Sequence, residues 1–412
     1  MHEPPSECHR RSKPRLMLLI NSLEIGGAEM QIAALSETFR SRGWEPQIVT
    51  LLPLDGLSEG LRQRGFRLSS LDMRKGVPDP RALFRLATLI RKEKIEILNG
   101  HLLQASLMAR IVRKLIPIPV VISSIHSQRL TGVALKELAI PWRETSLRIT
   151  DSLADATTTI SCASAEHLVS TRVVSKERLR VIQNGIDPSK FSRDYETRRH
   201  VRAALEIADS KFVFLAAGRL EAAKDFFNLL RAVKAMRTRP MVLICGVGSL
   251  EDSLRHAMLS LGLEKDVKFL GLRSDLPQLM SAADAFVSSS VLEGLPMVLL
   301  EASASELPIV ATIVGGNAEI VSEGRTGFLV PPQNSEKLAA AMDTMISLDE
   351  SSRRQLGTNA RRHVAERFSM EHAVDIWENL YLNSFFSNSS HVRMCGGIDL
   401  PHKTPRRSER EC

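Results

Sequence analysis

The chain has 412 residues, 43% hydrophobic and 25% charged. That composition excludes a disordered protein, and the length exceeds what one ordinary core uses, so two domains are expected. No run approaches the roughly 18 apolar residues of a membrane-spanning helix, and five scattered cysteines without a Cys-x-x-Cys pair suggest neither a disulfide framework nor a zinc site. Reduced thiols in a cytoplasmic protein are the simplest expectation. The net charge of +8 is uneven: residues 1–190 hold 28 Lys+Arg against 19 Asp+Glu, a net +9, and the remainder carries −1. The N-terminal half therefore suits an anionic leaflet, a polyphosphate or nucleic acid, and equally a plain solvated basic face.

In chain order, the apolar part of the N-terminus is only "LMLLI", too short for a signal-peptide core and better read as a strand. Strands are predicted at 15–20, 47–52, 66–71, 95–98, 119–123 and 157–161. Their near-continuous apolar character fits buried parallel strands. Helical periodicity separates them. One helix runs through "GGAEMQIAALSETFRSRG", with Ile32, Leu35 and Phe39 on one face, and ends at Gly43; another opens at Asp79 as cap, with Pro80 as first helical residue. Residues 184–210 are polar and charged and read as a connection. The alternation then restarts, with strands at 212–217, 241–245, 267–270, 285–289, 308–311 and 327–330. Helices are predicted between them at 225–237, 249–262, 275–283, 296–305, 316–323 and 334–347, and two more near 351–367 and 370–386. Two such series mean two Rossmann-like, doubly wound parallel-sheet α/β domains. The expected division is a flexible N-terminus (1–14), an N-terminal domain (15–190), a C-terminal domain (191–370), a closing helix (371–386) returning to the N-terminal domain, and a flexible tail (387–412).

Ligands of open parallel sheets bind off the carboxyl ends of the strands, and the motifs stand there. Gly26 and Gly27 open a helix after the first strand, leaving bare N–H groups. They do not form the Gly-x-Gly-x-x-Gly dinucleotide fingerprint. In "GRLEAAKD", Arg219 and Lys224 flank one loop, which suits a diphosphate. In "CGVGSLED", Gly246 and Gly248 admit either a ligand or a neighbouring backbone. In "VLEGLPMVLLEASA", Pro296 suits the first helical position, and the helix N-terminus favours a phosphate. Glu301, among apolar neighbours, needs a partner and can accept two ribose hydroxyls; Glu293 can approach the group beyond the phosphate. Gly315 and Gly316 open a further helix, and His101 and His126 end two successive strands of the first sheet. No Asp-x-Asp, His-Glu-x-x-His, Gly-x-Ser-x-Gly or Walker pattern occurs, which argues against a metal-diphosphate clamp, a zinc protease, a serine hydrolase and an ATPase.

Together these residues resemble the group 1 family of retaining glycosyltransferases (GT4-like, GT-B fold: two Rossmann-like domains facing a central cleft), over about residues 15–385. The Glu-x7-Glu pair Glu293 and Glu301 carries the resemblance, supported by "GRLEAAKD", "VIQNGID", "FLGLRSDLP", "AADAFVSSS" and Gly315–Gly316. It implies that Arg219 and Lys224 hold the diphosphate of a nucleotide sugar and that Glu301 holds the ribose. Glu293 would lie near the donor sugar with the backbone of Gly294, Leu295, Pro296 and Met297. Leu272 and Arg273 would meet the base, and Gly248 would line the donor side. Gly26 and Gly27 would bring the acceptor-side domain close to the donor, His101 would contact the sugar, and His126 matches a second such position. Asp225 stands where many members have Gly, and Asn99 where many have a second His.

The implied reaction is metal-independent hexosyl transfer without a cofactor, from a UDP- or GDP-sugar to a glycan or lipid-linked glycan, as in bacterial capsule, exopolysaccharide or lipopolysaccharide synthesis. The basic half would rest on the anionic inner leaflet, and in "VALKELAIPWRETSLRI" Trp142, Leu147 and Ile149 offer either a membrane-dipping or a packed helix. A sugar-nucleotide epimerase or a phosphorylase on the same fold is the alternative. A nucleic-acid partner is disfavoured by 5% aromatic content and the lack of a recognition motif.

Overall fold

The computed structural model describes residues 13–24, 26–126 and 141–388. Residues 1–12 of the expected flexible N-terminus, 389–412 of the expected tail and 133–140 of the proposed membrane-dipping stretch lie outside these. Lys13, at the end of that expected N-terminus, is held by Glu378, and Ser387 and Asn388 belong to the last helix. Two parallel-sheet α/β domains are present. The first sheet holds seven strands in the order β3-β2-β1-β4-β5-β6-β7: Leu16–Ile20 (β1), Gln47–Thr50 (β2), Arg67–Ser70 (β3), Ile97–His101 (β4), Val120–Ile125 (β5), Ala156–Thr159 (β6) and Leu179–Val181 (β7). The second holds six in the order β10-β9-β8-β11-β12-β13: Val213–Ala217 (β8), Met241–Cys245 (β9), Val267–Gly271 (β10), Ala285–Ser288 (β11), Ile309–Thr312 (β12) and Gly327–Val330 (β13). In each sheet the order reverses beside its first strand, between β1 and β4 and between β8 and β11. Such a switch point sends neighbouring crossovers to opposite faces and opens a crevice at the strand ends.

The helices that matter below are α1 (Gly27–Ser41), α3 (Arg81–Glu93), α4 (Leu103–Val112), α5 (Pro141–Thr150), α6 (Cys162–Ser170), α7 (Tyr195–Ala204), α8 (Phe226–Ala235), α10 (Leu276–Ala282), α11 (Met297–Ala304), α12 (Asn317–Ile320) and the last, α15 (Met370–Asn388). Both faces of the second sheet are covered. Leu215, Leu243, Phe286 and Ile309 pack on one side, and Phe214, Val242, Ile244 and Val310 on the other. This two-sided burial is why these strands read as continuous apolar runs.

By contact density the described residues form two compact units. One comprises those up to Ser124, Thr150–Thr157 and Trp377 onward; the other comprises the rest. In the first unit, α15 is held by Glu378, which accepts from Lys13 Nζ (2.5 Å), Trp44 Nε1 (2.5 Å) and Arg42 Nη1 (3.1 Å).

Several local readings change. The polar stretch 184–210 contains α7, not only a connection. Its Arg202 is structural: buried, it pairs with Asp284 (2.7 Å) and donates to the carbonyls of Ala282, Ala208, Asp209 and Lys211. Composition alone cannot separate a buried, fully partnered arginine from a solvated one. Strand β7 was not expected; at three residues, none of them buried, it lacks a buried strand's apolar signature. Pro80 and Pro296 each stand at the N-cap, one residue before the first helical position. Cys162 is disulfide-bonded, where reduced thiols were expected. Cys245 is a free, buried thiol pushed up to about 12 by burial.

Candidate active site

The carboxyl ends of β8, β9, β10 and β11 are stitched together by backbone. Gly218 N donates to Cys245 O (2.9 Å), Gly246 N to Gly271 O (2.8 Å), and Leu220 N to Val247 O (3.0 Å). A Cβ at Gly248 would lie 2.5 Å from Leu220 O, and Gly246, at φ +136, passes directly over Gly218 O. Close approach of neighbouring backbone is thus what the Gly-x-Gly pair provides here.

The β8 and β11 loops are zippered in the same way. Val291 N and Leu292 N donate to Ala223 O (2.9 and 3.3 Å), and Ser289 Oγ donates to Lys224 O (2.9 Å). The zipper brings Lys224 Nζ to 2.5 Å from Glu293 Oε1, and Ser290 Oγ donates to the same oxygen at 2.6 Å. Glu293 is only 9% exposed. A carboxylate so buried requires such partners, and both donors fall on Oε1.

Lys224 is followed by Asp225 in the left-handed conformation (φ +44), a geometry glycine adopts freely. Asp225 compensates by accepting from Asn228 N (3.2 Å) as the cap of α8. Its carboxyl is pushed up by burial, an effect the Asn228 N–H opposes.

Glu301 lies in the second turn of α11, 8% exposed, and no described residue donates to it. Burial alone pushes its carboxyl up to about 7. The turn before α11 is clamped from β12: Gly316 N donates to Gly294 O (2.7 Å), and Gly315, at φ +52, lies against Glu293 O where a side chain would collide. Asn184 Nδ2 donates to Leu295 O (3.1 Å), and Gly294 packs against His126 O with no room for a Cβ. Met297 and Val298, half-buried, begin the helix, whose first N–H groups have no intrahelical acceptors.

The structure thus brings Lys224, Glu293 and the Gly294–Met297 turn together and places Glu301 on the helix that follows. It does not bring Arg219 to the Lys224–Glu293 pair: Arg219 is 63% exposed and bound to Glu221 (2.9 Å). Leu272 is exposed, and Arg273 forms a two-pronged pair with Asp275 (2.7 and 2.5 Å). In the first unit, Gly26 caps α1, Gly27 begins it, and His101 ends β4, buried against Trp377 with ring centroids 5.9 Å apart. His126 follows β5 and is pushed down to about 4 by burial, so it is neutral at pH 7. On α5, Leu147 is buried while Trp142 and Ile149 are exposed.

Two residues escaped the sequence reading. Ser290 stands three before Glu293, a spacing that offered a signal, but it entered only as the last residue of "AADAFVSSS", just past the expected strand, with no role of its own. Glu319 accepts from Cys162 N at the start of α6 (2.9 Å) and from Gln183 Nε2 (2.6 Å), and burial pushes its carboxyl up. Its partners are distant in sequence, so nothing local announced them.

Residues 197–363 match the family model for glycosyl transferases group 1, and residues 25–190 match that for Glycosyltransferase Family 4. The chain belongs to the group 1 glycosyltransferases. Among its curated relatives is the Escherichia coli UDP-Gal:alpha-D-GlcNAc-diphosphoundecaprenol alpha-1,3-galactosyltransferase, 25% identical over 74% of this chain and 80% of the relative. Another is the Staphylococcus aureus capsular polysaccharide biosynthesis glycosyltransferase CapM, 26% identical over 76% and 82%. Among solved structures, Anabaena HepE in complex with UDP superposes with a TM-score of 0.76 at 24% identity, covering 89% of this chain and 99% of that one. Sucrose-phosphate synthase from Thermosynechococcus elongatus gives 0.79 at 21%, covering 90% and 100%. These superpositions place this glycosyltransferase in the two-domain GT-B fold.

Proposed function

We propose that this glycosyltransferase moves a hexosyl group from a nucleoside-diphosphate sugar, a UDP- or GDP-sugar, to a glycan or lipid-linked glycan during bacterial surface-polysaccharide synthesis, with retention of anomeric configuration. The observation that carries the proposal is the built acid–base arrangement at the β8/β11 switch point: Lys224 and Ser290 fixed on one oxygen of Glu293, with a buried Glu301 on the next helix that no described side chain or amide serves. A buried carboxylate without protein donors invites donors from a ligand, and the vicinal hydroxyls of a ribose supply two.

In this reading the diphosphate lies at the start of α11, drawn by its N–H groups and by Lys224, with Arg219 turning from Glu221 toward it. These fixed charges stabilise the negative charge that grows on the departing nucleoside diphosphate, and they suffice without a metal ion or cofactor. Glu293 keeps Oε2 for the sugar because Oε1 is taken. Leu272 and Arg273 meet the base through their backbone. His101 serves the sugar, and Gly26, Gly27 and His126 the acceptor side, on the family resemblance. The sugar passes through an oxocarbenium-like state, and the acceptor enters on the leaving-group face, which retains configuration.

The curated relatives support the pathway class: one is named for a diphosphoundecaprenol-linked sugar acceptor and another for capsular polysaccharide biosynthesis. No helix among the described residues is long and apolar enough to cross a membrane; the proposed contact with the cytoplasmic leaflet is peripheral and rests on the basic N-terminal half. Incubation with a nucleotide sugar and an undecaprenyl-diphosphate-linked acceptor, in the presence of EDTA, tests the reaction. An α-donor should give an α-linked product, seen in the anomeric proton coupling. A β-linked product, an epimerised donor, or dependence on added metal would contradict it.

A further inference from the structure

The turn that delivers His101 is strained and over-determined. Leu102, immediately after it, has φ +69 and ψ 167, a region that glycine alone occupies without cost. The torsion is held from several sides. Leu102 N donates to Ser124 O (2.9 Å), and its carbonyl accepts from Ser106 N (2.9 Å). Ser106 Oγ donates to Gly100 O (2.8 Å), and Ala105 N to Asn21 Oδ1 (3.2 Å). A Cβ at Gly100 would fall 2.6 Å from Ala105 O, so β4 and α4 meet as closely as backbone allows.

The strand itself is held from the other end of the sequence. Asn99 Nδ2 donates to the Tyr381 hydroxyl (2.8 Å), and Asn99 Oδ1 accepts from Ser124 Oγ (2.9 Å), all three side chains buried. One turn earlier on α15, the Trp377 ring lies against the His101 imidazole and against Tyr381, with centroids 5.9 and 5.4 Å apart. Tyr381 in turn packs on Phe39 and Trp44 (5.7 and 5.8 Å), and the Glu378 cluster fixes that face of the helix. A hydrophobic core alone requires neither a buried amide–phenol hydrogen bond nor a strained elbow. Persistent strain of this kind marks a side chain whose aim matters.

We propose that Tyr381, through Asn99, and the Leu102 torsion are positioning devices for His101, so that the last helix of the chain aims a residue of the transfer site. The inference rests on the reading above that His101 serves the sugar, and the experiment separates the two. Donor turnover is followed as nucleoside diphosphate release from whichever of UDP-glucose, UDP-galactose, UDP-N-acetylglucosamine and GDP-mannose gives the largest melting shift. His101→Ala should lower kcat about 100-fold; wild-type turnover there would remove His101 from the mechanism and the present inference with it. Tyr381→Phe keeps the ring and deletes the hydrogen bond, and should lower kcat about 10-fold with the donor KM and the nucleotide-induced melting shift unchanged. Leu102→Gly, which frees the elbow, should act in the same direction. In the His101→Ala background, Tyr381→Phe should cost nothing further, because its effect acts through the missing ring. Wild-type kcat in both single variants, or costs that multiply in the double variant, would overturn the inference.

Discussion

Glu301 gives the sharpest prediction, because its carboxyl is buried and pushed up from an ordinary 4.5 to about 7 with nothing but burial to account for it. An acid whose folded pKa lies above its unfolded value contributes stability that is fully present below the unfolded value and is lost as pH rises through the folded one. Keeping this group ionised in the folded chain therefore costs about 3 kcal/mol above pH 7, of which roughly 2 kcal/mol appears between pH 5 and pH 8. Glu301→Gln keeps the shape and removes the titration. The melting temperature of the variant relative to the parent should thus climb between pH 5 and pH 8, by about 4–8 °C for a domain of this size. Using the difference between the two proteins cancels other titrating groups, the depressed His126 among them. Donor binding should run the opposite way. Ribose hydroxyls are accepted by the ionised form, so the parent's affinity for a nucleotide sugar should strengthen about 30-fold from pH 5.5 to pH 8, while Glu301→Gln should be weak and flat. A sugar nucleotide is the right probe because its phosphates do not titrate in that range. Parallel melting curves together with equal donor affinities would refute the reasoning.

Further outcomes follow from the same loops. Lys224→Ala should weaken nucleotide-sugar binding at least 30-fold in calorimetry. It should also cost about 1–3 kcal/mol in denaturant unfolding, because Glu293 keeps its buried charge without its cation; adding Glu293→Ala should recover much of that stability but not the binding. Ser290→Ala removes one of the two donors to Glu293 Oε1 and should raise the donor KM about fivefold, near 1 kcal/mol, with little change in melting temperature. Gly248→Ala drives a methyl group against Leu220 O and should cost about 1–3 kcal/mol and displace the β8 loop, read as lower stability together with weaker donor binding.

The alternation of strands and helices was legible because buried parallel strands and amphipathic helices have distinct apolar periods, and in the second sheet each strand falls within about a residue of its expected place. Glu293 and Lys224 were legible from their positions after strands, since topology puts strand ends at the crevice. The pairing between them was not legible: it depends on Ala223 O meeting the Val291 amide, a backbone contact that leaves no trace in side-chain pattern. Arg219 shows the converse. Its place beside Lys224 in sequence suggested a joint clamp, but the near neighbour Glu221 holds it at the surface. Glu319 and the Asn99–Tyr381 bond were invisible because each joins segments more than a hundred residues apart.

The central claim is that the Lys224–Glu293 pair and Glu301 grip a nucleoside-diphosphate sugar. It is tested most directly by calorimetric titration of UDP- and GDP-sugars into the parent protein and into Lys224→Ala and Glu301→Gln. At least one donor should bind the parent at micromolar concentration, and both substitutions should weaken it by an order of magnitude or more. Binding that is untouched by either substitution would contradict the account.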